Sequence, residues 1–234
     1  MGLRERMADI ARFVRRPTFA AQPMAWGRAA AVALAVVFAL DAALGPLAMA
    51  LLEALDSAAP FLPEQVVEDI AFAEDLFLSL LLAPLLEELL FRGWLGGRVA
   101  ALRFALYGMA ALGLFTASLF AGPQVATVLG LAGAGVGLAG LVHWSLTRHR
   151  DTRVPPWFTC HFGWIVWGSS LVFSLIHLGN YEALTHPLGV LVVLPQTIGG
   201  VLLAYTRTRI GLGAAIAHHA AYNALALALD YGWW

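Results

Sequence analysis

The chain has 234 residues, of which 60% are hydrophobic and 12% are charged, and its formal net charge is −1. A soluble domain carries about 25% charged and about 45–50% apolar residues, so this composition excludes a water-soluble fold and a disordered chain. There is no basic excess to bind phosphate backbones, which excludes nucleic acid as a partner. We therefore predict a polytopic membrane protein embedded in the lipid bilayer.

Residues 1–28 precede the first long apolar run and are rich in arginine. Four apolar side chains recur among these arginines at helical spacing: Leu3, Met7, Ile10 and Val14. The pattern is typical of an amphipathic helix on a membrane surface, and a frayed basic tail is the alternative. We assign residues 1–28 to a cytoplasmic N-terminal amphipathic segment and residues 29–234 to a single membrane domain.

Apolar runs predict about seven transmembrane helices, because a helix needs roughly 20 apolar residues to cross the bilayer. The predicted spans are 29–52, 75–98, 102–122, 124–146, 157–178, 187–206 and 211–231. The third and fourth spans are joined by Gly122, Pro123 and Gln124, a turn signal that predicts a helical hairpin over about 102–146. The predicted fold class is all-α, a polytopic membrane helical bundle.

Arginine occurs in alternate connections between the predicted spans. The arginines in the N-terminal segment and these connections are Arg4, Arg6, Arg12, Arg15, Arg16, Arg28, Arg98, Arg103, Arg148, Arg150, Arg153, Arg207 and Arg209. The first of the other connections is acidic, with Glu53, Asp56, Glu64, Glu68, Asp69, Glu74 and Asp75. The positive-inside rule then predicts a multi-pass protein of the cell inner (plasma) membrane, with a cytoplasmic N-terminus and an external C-terminus. The absence of lysine in an Ala-, Leu- and Gly-rich chain favours a bacterial source.

Two adjacent carboxylates interrupt the leucine-rich second span. An ionisable group near the bilayer centre costs at least ~2.5 kcal/mol on insertion scales, so each one needs a reason. Glu88 and Arg92 stand at i,i+4 and can pair, whereas Glu87 points about 100° away and has no local partner. A buried Glu–Arg clamp between helices explains Glu88 and Arg92 but not Glu87. Glu87 suits a general base that activates water.

The fifth and seventh predicted spans each carry a histidine that shares a helical face with one other residue. Phe173 and His177 stand at i,i+4 in the fifth span, and His219 and Asn223 stand at i,i+4 in the seventh. Hydrogen-bonded core residues are the structural alternative for each pair alone. Together with Glu87 they predict a hydrolase constellation, in which Glu87 deprotonates water and His and Asn donors bind a tetrahedral oxyanion.

The same side chains allow a metal-dependent arrangement. Glu87, His177 and His219 would make a His₂Glu set for zinc with an open position for water. The sequence is compatible with both this arrangement and the metal-free one. In either case the helices must be tilted, broken or staggered, because His177 lies near the outer end of its span and His219 in the inner half of its own.

These motifs resemble those of the CPBP family of intramembrane proteases (CAAX-protease and bacteriocin-processing, also called Abi). The family motifs E-E-x-x-x-R, F-x-x-x-H and H-x-x-x-N stand here as Glu87-Glu88-…-Arg92, Phe173-…-His177 and His219-…-Asn223, in family order. The resemblance implies that Glu87 and His177 activate the attacking water and that His219 and Asn223 bind the oxyanion. Glu88 and Arg92 would support them. Members are described both as metalloproteases and as glutamate-type proteases, so the zinc question stays open.

One departure from the family is the longer distance between the first two motifs, which accommodates the third and fourth spans as an inserted hairpin. The activity expected from the resemblance is an intramembrane endopeptidase that cleaves a membrane-tethered substrate near its C-terminus. The substrate would carry either a C-terminal anchor or sorting signal, or a lipidated CAAX-like tail. The alternative is a non-catalytic membrane immunity or scaffold protein that uses the same polar network for helix packing and partner binding.

Overall fold

The computed structural model describes residues 2–66 and 70–231. Glu68 and Asp69, two of the acidic residues named above, lie outside these ranges. The described ranges contain ten α-helices: α1 (Leu3–Arg15), α2 (Arg28–Asp56), α3 (Phe72–Phe77), α4 (Ala83–Phe91), α5 (Val99–Leu119), α6 (Pro123–Thr147), α7 (Pro156–Cys160), α8 (Phe162–Ile176), α9 (Leu194–Arg209) and α10 (Leu212–Asp230). Short 3-10 turns follow α4 and α8 and precede α9. The predicted all-α class is confirmed.

Within the described ranges, six helices are long and apolar enough to cross a membrane. They are α2, α5, α6, α8 with the 3-10 turn that follows it, α9 with the 3-10 turn that precedes it, and α10. These helices confirm a multi-pass membrane protein. The remaining predicted span, 75–98, differs from the others because no single helix in it reaches that length.

The segment predicted as the second span is a helix with a local irregularity. Its α-helical pieces, α3 and α4, are joined by a π-helical turn over Leu78–Leu82. Pro84 explains the irregularity, since proline has no N–H to donate and its ring crowds the carbonyl one turn earlier. The α-helix ends at Phe91, and a 3-10 turn over Gly93–Gly96 replaces the helix expected there.

Helices α5 and α6 pack mainly on each other and contact the rest of the bundle through α4 and the turn after it. A glycine permits the closest approach in the pair, since a Cβ on Gly140 would lie 2.5 Å from Cβ of Tyr107. The two helices thus form a hairpin at the side of the bundle. Its origin as an insertion remains a prediction.

Helix α1 packs along the end of the bundle that carries the arginines. Ile10 and Phe13 are buried in a core cluster with Phe162 and Tyr205, from α8 and α9. The Tyr205 hydroxyl also donates to Asp9 at 3.1 Å. One apolar face of α1 is therefore part of the protein core.

The connections at the two ends of the bundle differ in charge. At one end, hereafter the arginine-rich end, the Val99 N–H donates to the Arg153 carbonyl at 3.0 Å, and Arg209 donates to Thr18. At the other, the acidic end, the Glu182 N–H donates to the Glu64 carbonyl at 2.9 Å. At each end of the bundle, hydrogen bonds therefore join segments that are far apart in the sequence.

Candidate active site

Glu87, His177 and His219 converge from three helical segments. The Glu87 Oε2 atom lies 4.0 Å from His177 Nε2 and 3.8 Å from His219 Nε2. Among the described residues this oxygen is buried without a hydrogen-bond partner. By distance alone, a water about 2.8 Å from both Glu87 Oε2 and His177 Nε2 is compatible with their 4.0 Å separation.

The orientation of His177 is set by the backbone of its own helix. Its Nδ1 atom lies 2.8 Å from the Phe173 carbonyl oxygen. Because a carbonyl only accepts, Nδ1 carries the hydrogen and Nε2 of the neutral ring presents a lone pair toward Glu87. A water between His177 and Glu87 therefore donates to both, which leaves its oxygen lone pairs free for attack.

Glu88 is held in a very different environment from its neighbour. It is fully buried, and its Oε1 atom accepts from Arg92 at 2.9 Å and lies 3.1 Å from His219 Nδ1. The buried guanidinium of Arg92 also lies 3.8 Å from the centre of the Phe173 ring. Glu88 and Arg92 thus position His219 and Phe173.

The ends of the helices are staggered, which brings His177 to the depth of Glu87. The Ser169 hydroxyl, in the middle of α8, donates to the carbonyl of Phe91, the last residue of α4, at 2.9 Å. Helix α8 therefore begins about two turns beyond the end of α4. This stagger places His177, the residue that follows α8, beside Glu87.

Asn223 lies one turn beyond His219 on α10, and its amide donates to the Ser79 carbonyl in the π-turn at 2.8 Å. The second N–H of this amide remains for a ligand. Arg207 closes the other end of α4, where its guanidinium donates to the carbonyls of Arg92 at 2.9 Å and Gly93 at 3.2 Å. The irregular backbone on both sides of α4 is thereby satisfied by side chains of α9 and α10.

A cavity of about 180 Å³ adjoins these residues. His177, His219 and Asn223 line it, together with Asp41 and Gln196 from α2 and α9. Glu87 lines a second, apolar groove of about 530 Å³ between α4 and α5. The groove lies on the hairpin side of the bundle, and Glu87 in its lining lies 4.0 Å from His177 in the lining of the cavity.

Asp41 and His218 are polar residues whose partners the sequence did not reveal. Asp41 is 1% exposed, and its Oδ2 atom lies 3.1 Å from His218 Nε2. His218 Nδ1 lies 3.0 Å from the Thr206 hydroxyl. The presence of an acidic residue inside the first span indicates that it has a partner, because a buried charge in a membrane is costly. The sequence pattern does not show, however, that this partner lies on α10.

The predicted zinc ligands do not have the spacing of a zinc site. Two ligands about 2.0 Å from one tetrahedral ion are about 3.3 Å apart, whereas Glu87 Oε2 lies 3.8 and 4.0 Å from the imidazole nitrogens. Within residues 2–66 and 70–231, no group of three or more His, Cys, Asp or Glu could hold a metal ion. We therefore derive no step through a metal.

These observations define a polytopic membrane protein with a largely half-buried acid–imidazole–amide constellation of the kind that hydrolases use. The family model described as type II CAAX prenyl endopeptidase Rce1-like matches residues 151–225. The match includes His177, His219 and Asn223, and it confirms the resemblance to the CPBP family, which is a protease family. Glu87, Glu88 and Arg92 lie before the matched range. Comparison with curated proteins gave no match, and comparison with solved structures gave none.

Proposed function

We propose that this protein is an intramembrane endopeptidase in which Glu87 activates water to hydrolyse a peptide bond of a membrane-tethered substrate. The observation that carries the proposal is the buried, unpartnered Oε2 atom of Glu87, 3.8 and 4.0 Å from two imidazole nitrogens. A catalytic base must be close to the water it deprotonates and free of other hydrogen bonds. Glu88, one residue later, is fully buried and its Oε1 atom contacts both Arg92 and His219, whereas the Glu87 side chain keeps 23% of its surface exposed.

The proposed reaction uses the constellation in a fixed order. Glu87 accepts a proton from water while the water oxygen bonds to the substrate carbonyl carbon, and His177 accepts a hydrogen bond from the second water hydrogen, which stays on the oxygen. The free N–H of Asn223 and the Nε2–H of a doubly protonated His219, whose Nδ1–H faces Glu88, bind the oxyanion that develops on the carbonyl oxygen. As the C–N bond breaks, the proton on Glu87 passes to the leaving nitrogen, and the carboxylate is regenerated.

The apolar groove between α4 and α5 supports a substrate that is held in the bilayer. Glu87 is the one ionisable residue among those that line this groove within the described ranges, and leucines form much of its wall. A substrate segment could reach Glu87 along this groove without leaving the lipid. We propose a substrate cleaved near its C-terminus, with a membrane anchor or sorting signal preferred over a lipidated CAAX-like tail.

The charge difference between the two ends supports the orientation given by the positive-inside rule. In this orientation the arginine-rich end and α1 face the cytoplasm, and the acidic end faces outward. We propose that the membrane in which the protein resides is the inner (plasma) membrane of a bacterium.

The proposal is tested by comparing the terminal peptides of membrane proteins from source cells that express wild type or Glu87→Gln. Glutamine keeps the size of the side chain but cannot take the proton. We expect particular termini to remain uncleaved in the variant while the variant protein persists. Glu182→Gln, which makes the same substitution at an exposed position of the acidic end, is the control and should cleave normally. Identical termini in wild type and Glu87→Gln would instead favour a non-catalytic scaffold or immunity role.

A further inference from the structure

Asp41 is an acidic residue near the middle of α2 that faces the candidate catalytic residues across the cavity. It is 1% exposed and belongs to none of the three motifs. An ionisable side chain this deep in a membrane helix is costly, so it is retained for pairing or for function. One of its two carboxylate oxygens has a neighbour at ion-pair distance, and the other has no hydrogen-bond partner among the described residues.

The carboxylate oxygen with a neighbour at ion-pair distance is Oδ2. It lies 3.1 Å from His218 Nε2, and His218 Nδ1 lies 3.0 Å from the Thr206 hydroxyl. Thr206 in turn donates to the Leu202 carbonyl at 3.0 Å. These contacts place Oδ2 at ion-pair distance from α10, although His218 Nε2 makes no hydrogen bond among the described residues.

The second oxygen, Oδ1, is buried and has no hydrogen-bond partner among the described residues, and the same is true of Gln196 Oε1. Both side chains line the cavity that contains His177, His219 and Asn223. Gly199 leaves room beside Asp41, since a Cβ there would lie 3.4 Å from Oδ1. A buried acceptor without a donor is destabilising, so a ligand that brings a donor would stabilise both oxygens.

A peptide bond supplies such a donor. Its carbonyl and its N–H point in opposite directions because the unit is planar and trans. With the carbonyl oxygen bound by His219 and Asn223 of α10, the N–H is directed away from α10, and Asp41 and Gln196 are acceptors from other helices that line the same cavity.

We propose that Asp41 and Gln196 form a leaving-group subsite that accepts hydrogen bonds from the N–H of the scissile peptide and from the amine that it becomes. The subsite rests on the proposed function. In the reaction the C–O bond forms, the C–N bond breaks, and the nitrogen receives the proton that Glu87 removed from water. Asp41 and Gln196 take no proton and accept from the nitrogen throughout. An ester, which has no N–H, cannot use the subsite.

The test compares two synthetic peptides that span a terminus whose cleavage is lost in Glu87→Gln cells. One has the natural scissile amide, and the other has an ester at that bond. Gln196→Met removes one acceptor without touching the contacts of His218, and Asp41→Ala removes the other. Each variant should lower the ratio of amide to ester kcat/KM about tenfold, the value of one hydrogen bond of about 1.4 kcal/mol. Gln124→Met, the same substitution at the exposed start of α6, should leave the ratio unchanged.

Equal losses on amide and ester at an unchanged melting temperature would overturn the subsite, because they indicate a general effect on the site. Should Asp41→Ala fail to fold, Gln196→Met decides the question alone. If Glu87→Gln cleaves both peptides as well as wild type does, the proposed function fails and the subsite fails with it. The Glu87→Gln control distinguishes that outcome from a failure of the subsite by itself.

Discussion

Glu88 is linked to His219 by a 3.1 Å contact between its Oε1 atom and the imidazole Nδ1, across 131 positions of sequence. The same oxygen accepts from Arg92, so the contact joins an ion pair within one helical segment to a motif on another. Glu87, the adjacent residue, points toward the imidazole Nε2 instead. Two neighbouring carboxylates therefore lie near opposite sides of one ring, and under the proposed function Glu88 is the positioning residue and Glu87 the base.

Removal of Arg92 should destabilise the fold strongly. Arg92→Gln leaves Glu88 as a fully buried charge, which typically costs about 3–5 kcal/mol. The double variant Glu88→Gln, Arg92→Gln removes the unpaired charge and should be less destabilised than Arg92→Gln alone. Denaturant titration of the purified variants in detergent measures both free energies of unfolding. Additive losses in the double variant would contradict an ion pair between these residues.

Loss of the Asn223 amide should affect the chemical step. Removing one oxyanion donor typically lowers kcat by about 10²–10³-fold, so we expect this reduction in Asn223→Ala with KM changed much less. The amide peptide described above serves as the substrate. Asn180→Ala, at an exposed position of the acidic end, is the matched control. A rise in KM with constant kcat would instead show that Asn223 binds substrate and transition state equally.

Chelation should leave the activity intact. The separations of 3.8 and 4.0 Å around Glu87 exceed those of zinc ligands, and the proposed base is the carboxylate itself. We expect the purified protein to retain its kcat after treatment with a zinc chelator and dialysis. A loss of activity that added zinc restores would show that Glu87, His177 and His219 bind metal in the working enzyme.

The stability of the α5–α6 hairpin should fall when a methyl group is added at one glycine and should stay unchanged when it is added at another. Gly140→Ala places a methyl group 2.5 Å from Tyr107 and should destabilise the protein by about 1–3 kcal/mol through overpacking. Gly135→Ala is the matched control, because a Cβ at Gly135 meets nothing within 4 Å. Thermal unfolding of the two variants in detergent compares them. Equal melting temperatures would contradict the close approach of α5 and α6.

The sequence predicted the features that depend on local pattern. Apolar runs marked the spans, and i,i+4 spacing paired Glu88 with Arg92, which the structure shows in contact at 2.9 Å. The pairing of Asp41 with His218 could not be predicted, because it depends on how α2 and α10 are rotated against each other. The depth of His177 was equally inaccessible, since it depends on the stagger of α8 revealed by the Ser169 hydrogen bond to Phe91.

Asn223 binds a carbonyl of the π-turn, while Glu87 lies on the α-helix that follows it. The number of residues between Ser79 and Glu87 therefore sets the angular relation between the two contacts. Each residue turns an α-helix by about 100°, so deletion of Leu85 or Leu86 from α4 would rotate Glu87 relative to Ser79 and away from the imidazoles. A deletion inside the π-turn should have a smaller effect, because the wide turn accommodates its extra residue and a regular helix would leave Glu87 near its present angle. The length of the regular helix between the two contacts is therefore as much a part of the site as the residues that make them.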